Sequence, residues 1–202
     1  MKEKALPLKE KSPDPHHNSY ARTVFGFWLF LLSDFVLFGV LFACFAVLRE
    51  NKFGGPGALD LFNLDIAFSQ SLLLLCCSFF AGLGGVAIHR KNKIQTVIWF
   101  SILFFVGLAF VILELKDLSR LIALGADWTK SGFLSAFYTV VGTHILHVIL
   151  GLMWIPVLLW GVIKLGIAHE EITRGTCLRL FWQFLNIVWI FIFAFVYFAE
   201  RG

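Results

Sequence analysis

Two histidines three residues apart, His144 and His147, lie in an otherwise apolar stretch of the chain. Residues at positions i and i+3 of a helix are neighbours on its surface, so the two rings can act together. Such a pair could ligate a metal or haem, transfer protons, or hold one helix against another. A metal site needs about four ligands, and no other histidine lies deep in an apolar stretch. The sequence therefore favours hydrogen bonding between helices and predicts no catalytic residue, metal or cofactor site in this chain.

Asp34 lies near the middle of another apolar stretch, directly after Ser33. A carboxylate at the centre of a bilayer costs about 2.5–3.5 kcal/mol on insertion scales, so this side chain must face other helices rather than lipid. Two interpretations of Asp34 remain open: a carboxylate that handles protons, and a structural clamp to a neighbouring helix.

Three further polar residues interrupt apolar stretches. Glu114 lies near the end of its stretch with Lys116 close enough to pair, which favours a structural or interfacial role. Gln183 and Asn186 are again three residues apart, and amides on an apolar helix are typical of hydrogen bonds between membrane helices. The residues predicted to pack helices through polar contacts are Ser33, Glu114, His144, His147, Gln183 and Asn186.

The elements that carry these residues are membrane helices. Of the 202 residues, 59% are hydrophobic and only 15% are charged, whereas soluble domains have roughly 25% charged residues. A bilayer core about 30 Å thick requires about 20 apolar residues as helix, and hydrocarbon offers the backbone no other hydrogen-bond partner. The sequence predicts an all-α bundle of five transmembrane helices, at about 25–48, 67–88, 96–115, 132–163 and 178–199.

The chain divides into a charged tail and a membrane domain. Residues 1–22 combine many charges with three prolines, which predicts a disordered cytoplasmic tail, and residues 23–202 form the five-helix domain. Eleven lysines and arginines fall on the side of the tail and six on the other side. The positive-inside rule then predicts that the N-terminus is inside and the C-terminus outside.

Several segments match one known pattern in the same order along the chain. They are "FGFWLFLLSDFVLFGVLFACFAVL" (25–48), the loops "ENKFGGPGALDLF" and "ILELKDLSRLIALG", "SGFLSAFYTVVGTHILHVILGLMW" (131–154) and "LFWQFLNIVWIFIFAFVY" (180–197). These segments resemble subunit III of the haem–copper respiratory oxidases, with its G-T-H-x-L-H-V-x-x-G segment and its closing F/Y-W-H-F-x-D-x-V-W helix. The resemblance covers roughly residues 20–200. Five spans resemble the short bacterial form found in the cytochrome bo-type ubiquinol oxidases.

The resemblance implies an accessory subunit without redox centres, in a bacterial inner membrane. Such a subunit packs against subunit I, which carries the haem and copper, beside subunit II and a small subunit IV. It supports the stability and the proton uptake of a complex that oxidises quinol, reduces oxygen to water and pumps protons. A bound phospholipid is a further expectation, although the lipid cleft of longer relatives cannot be carried over, because this chain lacks two of the helices that form it. No nucleic-acid partner is expected.

Two departures from the pattern leave alternatives open. Gln183 and Asn186 stand where the family usually has His and Asp, so two ionisable groups are missing and a proton role there is doubtful. Asp34 is retained, as are His144 and His147, which the resemblance makes structural. The alternatives are a subunit-III-like protein associated with nitric oxide reductase, and an independent proton channel or transporter built around Asp34.

Overall fold

The described part of the chain forms five long helices. The computed structural model describes residues 15–49 and 64–198, and this part of the chain contains no strand. The helices are α1 (Pro15–Leu48), α2 (Leu64–His89), α3 (Lys93–Ala123), α4 (Gly132–Leu165) and α5 (His169–Ile192), and α5 continues into a π-helical turn (Phe193–Phe198). All five are long and apolar enough to cross a bilayer. The prediction of an all-α bundle with five transmembrane helices is therefore confirmed.

The helices extend beyond the apolar runs that predicted them. α1 begins at Pro15, inside the segment assigned to the tail, and α5 begins at His169 rather than near residue 178. Apolar runs mark the part of a helix that lies in hydrocarbon, whereas polar residues continue the same helix beyond it. Residues 1–14 of the tail predicted over 1–22 lie outside the described residues, and so does a turn that Gly54, Gly55, Pro56 and Gly57 predict at 54–57.

Short turns with defined caps join α2 to α3 and α4 to α5. The Asn92 side chain accepts a hydrogen bond from the backbone N–H of Gln95 at 3.2 Å, which caps α3. Gly166 ends α4 at φ 80°, a conformation that favours glycine. Both turns lie on one side of the bundle, which we call the inner side after the predicted orientation. That orientation stays a prediction.

The loop between α3 and α4 is held by side-chain hydrogen bonds. The hydroxyl and the backbone N–H of Thr129 both donate to Asp127 Oδ1 at 2.6 Å. These hydrogen bonds hold the pKa of the Asp127 carboxyl below its usual range. Tyr138 donates its hydroxyl to the Ala126 carbonyl at 3.0 Å, so the loop is tied back to α4.

Four helices surround a common core and α1 packs on their outside. α2 contacts α3 and α5, α4 contacts the same two helices, and α1 contacts α4 and α5. Gly107 on α3 permits the close approach, because a Cβ there would lie 2.8 Å from the Trp182 ring and 2.9 Å from the Leu152 side chain. We call α2–α5 the ring. Its fully buried large side chains include Phe100, Phe110, Phe133, Phe137, Trp182 and Trp189.

Candidate functional site

Asp34 on α1 and His147 on α4 face each other inside the bundle. Asp34 Oδ2 lies 3.7 Å from His147 Nε2, and the two side chains are 11% and 13% exposed. The cost of a carboxylate in hydrocarbon explains why Asp34 turns toward α4 rather than toward lipid. The structure thus brings together two residues that the sequence singled out separately.

The other ring nitrogen of His147 fixes what the pair can do. His147 Nδ1 lies 2.8 Å from the Thr143 carbonyl oxygen, so Nδ1–H donates there and Nε2 is left pointing at Asp34. In a neutral imidazole with a proton on Nδ1, Nε2 is an acceptor. A proton between the two groups therefore belongs either to the carboxyl or to the imidazole. At 3.7 Å the two atoms are too far apart for a direct hydrogen bond. A small closing movement would form one, and one bridging water would link the two groups without it.

Aromatic rings enclose the Asp34–His147 pair. The Phe38 ring lies 5.3 Å from the His147 ring and the Phe181 ring lies 6.4 Å from it, measured between centroids. Phe38 also contacts Phe184 of α5 at 6.2 Å. These rings make the surroundings of the pair apolar, which strengthens any electrostatic interaction between the two groups.

His144 serves a different neighbour from His147. Its ring is fully buried, and its Nε2 lies 3.2 Å from the Leu185 carbonyl oxygen, to which Nε2–H donates across to α5. The ring also packs against Phe110 of α3 at 6.0 Å and Trp189 of α5 at 5.3 Å. One histidine of the pair therefore joins α4 to α5 and the other approaches α1.

Glu114 lies deeper than the sequence analysis expected. It is 1% exposed and faces the interior of the ring, whereas Lys116 is exposed. Residues two apart in a helix do not face each other, so the expected pairing between Glu114 and Lys116 is wrong.

Two of the predicted packing residues are exposed. Ser33 donates its hydroxyl to the Phe30 carbonyl of its own helix at 2.7 Å, so it needs no partner on another helix. Gln183 faces outward on α5, while Asn186 is half-buried. A packing role within this chain fits Asn186 but not Ser33 or Gln183.

An apolar furrow runs between α1 and α5. It consists of two cavities of about 290 and 190 Å³ that share Phe35 and Ile187. Gln183 is the one amide among the residues that line it. The remaining lining residues are Trp28, Leu31, Leu32, Phe38, Gly39, Phe42, Leu180, Phe184, Val188, Phe191 and Phe195.

Charged groups at the inner end of α5 escaped the sequence analysis. Glu171 is buried against Gly161 of α4 and pairs with Arg174 at 2.9 Å. The stem of Arg179 packs on Gly85 of α2, and its Nε has no hydrogen-bond partner among the described residues. Glu171 and Arg174 precede the span predicted at about 178–199 and Arg179 lies at its start, so their position in the sequence carried no signal of burial.

Within residues 15–49 and 64–198, no three His, Cys, Asp or Glu side chains come close enough together to hold a metal ion. The fold and the enclosed carboxylate–imidazole pair define a polytopic membrane protein with one ionisable contact between α1 and α4. No protein-family model matches the chain.

The chain is nevertheless clearly similar in sequence to individual proteins. The chain is 42% identical over 184 residues to subunit 3 of the cytochrome bo(3) ubiquinol oxidase of Pseudomonas aeruginosa, covering 91% of this chain and 88% of that protein. It is 39% identical to cytochrome c oxidase subunit 3 of Bacillus sp. strain PS3, over 85% of this chain and 83% of that one. Quinol oxidase subunit 3 of Bacillus subtilis is 35% identical over 89% and 88%.

The chain belongs to the subunit III family of the haem–copper respiratory oxidases. The resemblance read from the segments of the sequence is thereby confirmed. With five membrane-spanning helices and bacterial oxidase subunits as relatives, it is a multi-pass protein of a bacterial inner membrane.

Proposed function

We propose that the chain is the accessory subunit III of a proton-pumping ubiquinol oxidase. In this assignment subunit I carries the haem and copper, and this chain supplies stability and supports proton uptake. The observation that carries the proposal is the 42% identity to a cytochrome bo(3) subunit 3 over nearly the whole chain. Subunit II and a small subunit IV complete the proposed complex.

Purification of the tagged chain from native membranes in mild detergent tests this assignment. We expect a haem–copper subunit, subunit II and the small subunit in the mass spectrum, and a haem absorption spectrum in the same fraction. Subunits of a nitric oxide reductase would favour that alternative. A colourless chain without partners would contradict both.

The electron donor is tested on the same complex. Relatives of similar identity are named for ubiquinol and for cytochrome c, so similarity alone does not choose between them. We propose a quinol, because four of five relatives that are 37–42% identical to this chain are ubiquinol oxidase subunits. Oxygen consumption should follow added ubiquinol and not reduced cytochrome c.

We infer that Asp34 and His147 form the proton-exchanging group of this subunit. The 3.7 Å separation, the free acceptor nitrogen of His147 and the apolar enclosure support this role. Asp34→Asn keeps the shape of the side chain and removes its titration. We expect the assembled complex to retain its haem content and to lose activity progressively over many turnovers.

Ser33→Ala is the matched control for Asp34→Asn. Ser33 is the adjacent residue, exposed and bonded only within α1, so this variant should sustain turnover like the unmodified complex. Sustained turnover in Asp34→Asn as well would reduce Asp34 to a packing residue. Proton flux through the chain reconstituted alone, abolished by Asp34→Asn, would instead favour the independent channel.

We also propose that the furrow between α1 and α5 holds an acyl chain of a phospholipid. Its lining is apolar apart from Gln183, and Arg179 lies one helical turn inward on α5. Arg179 lies at the inner start of the apolar span predicted at about 178–199, which puts the guanidinium at the level of lipid phosphates. Guanidinium groups bind phosphate well.

Lipid analysis of the purified complex tests the furrow. Ile187→Trp should fill it and Arg179→Gln should remove the phosphate contact, and each should lower the amount of co-purified phospholipid. Lys164→Gln is the control. Lys164 is exposed and its Nζ lies 5.3 Å from the Trp160 ring centroid, so this variant should leave the lipid content unchanged. Equal lipid in all variants would contradict this site.

A further inference from the structure

Three helices of the ring, α2, α3 and α4, each carry an ionisable or amide side chain at the same depth in the bundle. On α2 and α3, Gly84 lies opposite Phe100, whose ring would be 3.0 Å from a Cβ on that glycine. Gln70 on α2 and Glu114 on α3 lie the same number of residues from this contact, toward the outer side. Because α2 and α3 run antiparallel, the two residues are at the same depth in the bundle.

The register of α3 and α4 leads to the same level. Gly107 lies opposite Leu152. Counting the same number of residues outward from each leads to Glu114 on α3 and to Ile145 on α4, the neighbour of His144. The three polar side chains thus come from three different helices.

Trp189 of α5 connects α4 to α2 at this depth. The His144 ring packs on Trp189, and Trp189 Nε1–H donates to Ser71 Oγ on α2 at 2.9 Å. Ser71 is the neighbour of Gln70. We call Gln70, Ser71, Glu114, His144 and Trp189 the polar layer.

Four polar atoms of this layer have no hydrogen-bond partner within the part of the chain that the structure describes. They are Gln70 Oε1, Gln70 Nε2, Glu114 Oε2 and His144 Nδ1. Gln70 and His144 are 0% exposed and Glu114 is 1% exposed. Buried polar atoms in native proteins are nearly always paired, either with protein or with ordered water.

We propose that the polar layer is an internal hydration site, in which about two ordered waters bridge Gln70, Glu114 and His144. The four atoms include both hydrogen-bond donors and acceptors. Gln70 Nε2 is a donor, while Gln70 Oε1 and the ring nitrogen Nδ1 are acceptors, since Nε2–H of His144 already donates to Leu185. Water satisfies both kinds at once, whereas a bound cation would leave the amide N–H groups of Gln70 unpaired.

This hydration site is separate from the Asp34–His147 pair. The pair lies between α1 and α4, while the polar layer lies inside the ring of α2–α5. His144 and His147 are neighbours on the surface of α4, but they belong to two different polar sites, because His144 bonds to α5 inside the ring and His147 faces Asp34 of α1. The inference does not rest on the proposed function.

Hydroxyl radicals generated from bound water by a short X-ray pulse test the proposal on the full chain in native membranes. Such radicals oxidise the side chains next to a water, and mass spectrometry locates the product. Phe110 and Phe100 are a matched pair, because both lie on α3 and both are 0% exposed. Phe110 contacts His144 and Trp189 of the layer, while Phe100 packs on Gly84.

We expect Phe110 to be oxidised several-fold more than Phe100. The double variant Gln70→Leu with Glu114→Leu should lower the oxidation of Phe110 to the level of Phe100. Equal oxidation of the two phenylalanines in the unmodified chain would overturn the proposal, and this comparison needs no variant to fold. Persistence of the Phe110 signal in a folded double variant would also overturn it. Because the readout is independent of partners, its failure is distinguishable from failure of the oxidase assignment.

Discussion

The His147 ring is held by its own helix through one nitrogen and faces Asp34 of α1 with the other. Its Nδ1–H donates to the Thr143 carbonyl one turn back in α4 at 2.8 Å, and this bond orients the ring so that Nε2 faces Asp34. A backbone acceptor cannot change its protonation, so the bond selects one tautomer of the neutral ring. The remaining freedom is the position of one proton between Nε2 and the carboxyl.

The first prediction concerns the coupling of this pair. His147→Asn removes the imidazole that faces Asp34, and we expect the same progressive loss of turnover in the assembled complex as in Asp34→Asn. If the two residues act as one unit, the double variant should be no worse than either single variant. The measurement is quinol-dependent oxygen consumption followed over many turnovers at constant haem content. Additive losses would show that the two side chains act independently.

The second prediction concerns His144. His144→Leu removes the hydrogen bond to the Leu185 carbonyl, and such bonds between membrane helices contribute about 0.6 kcal/mol and rarely more than about 1.7 kcal/mol. We expect a lower thermal stability of the complex with turnover sustained. Thermal unfolding and activity measured on the same preparation check this. A loss of turnover at unchanged stability would place His144 with the proton-exchanging pair.

At the scale of the helices, α4 and α5 make a tight contact at Gly161. A Cβ at this position would lie 2.5–2.7 Å from the carboxylate of Glu171, which is itself buried and paired with Arg174. The Glu171 carboxylate therefore occupies the space that a side chain at position 161 would need. Neither the apolar run of α4 nor the polar start of α5 reveals this contact in the sequence.

The third prediction follows from that approach. Gly161→Ala should force the helices apart or displace the Glu171 carboxylate, at a cost of about 1–3 kcal/mol in the free energy of unfolding. Gly142→Ala is the matched control on the same helix, since nothing lies within 4 Å of its Cβ position. It should be neutral or slightly stabilising. Equal unfolding midpoints for the two variants in the purified complex would argue against a tight contact at Gly161.

The sequence predicts much of the fold at this scale but little of the site. Apolar runs predict the five helices because hydrocarbon forces a spanning segment to be helical, and the cost of a buried carboxylate predicts that Asp34 faces inward. The partner of Asp34 is decided by how α1 docks on α4, and nothing local encodes this. The pairing expected for Glu114 failed because neighbours two apart point to different sides of a helix. Arg179 was counted only as an inner cation, because its packing on Gly85 of α2 depends on how two helices dock.

At the scale of the whole molecule, the orientation in the membrane decides which side supplies protons. The positive-inside rule predicts that the α2–α3 and α4–α5 turns face the cytoplasm. The fourth prediction is that Lys91→Cys, in a background without other cysteines, reacts with a membrane-impermeant maleimide only after permeabilisation. Thr129→Cys, in the loop between α3 and α4, should react in cells whose inner membrane is intact. The reverse pattern would invert the topology.

The complex with and without this chain provides the most direct test of an accessory role in quinol oxidation. The measurement is ubiquinol-dependent oxygen consumption over many turnovers, for the complex purified from cells that lack the chain and again after the chain is restored. We expect an unchanged haem spectrum, an activity that starts and then declines, and full recovery with the unmodified chain but not with Asp34→Asn. Sustained oxygen consumption without the chain, at full stability, would contradict it.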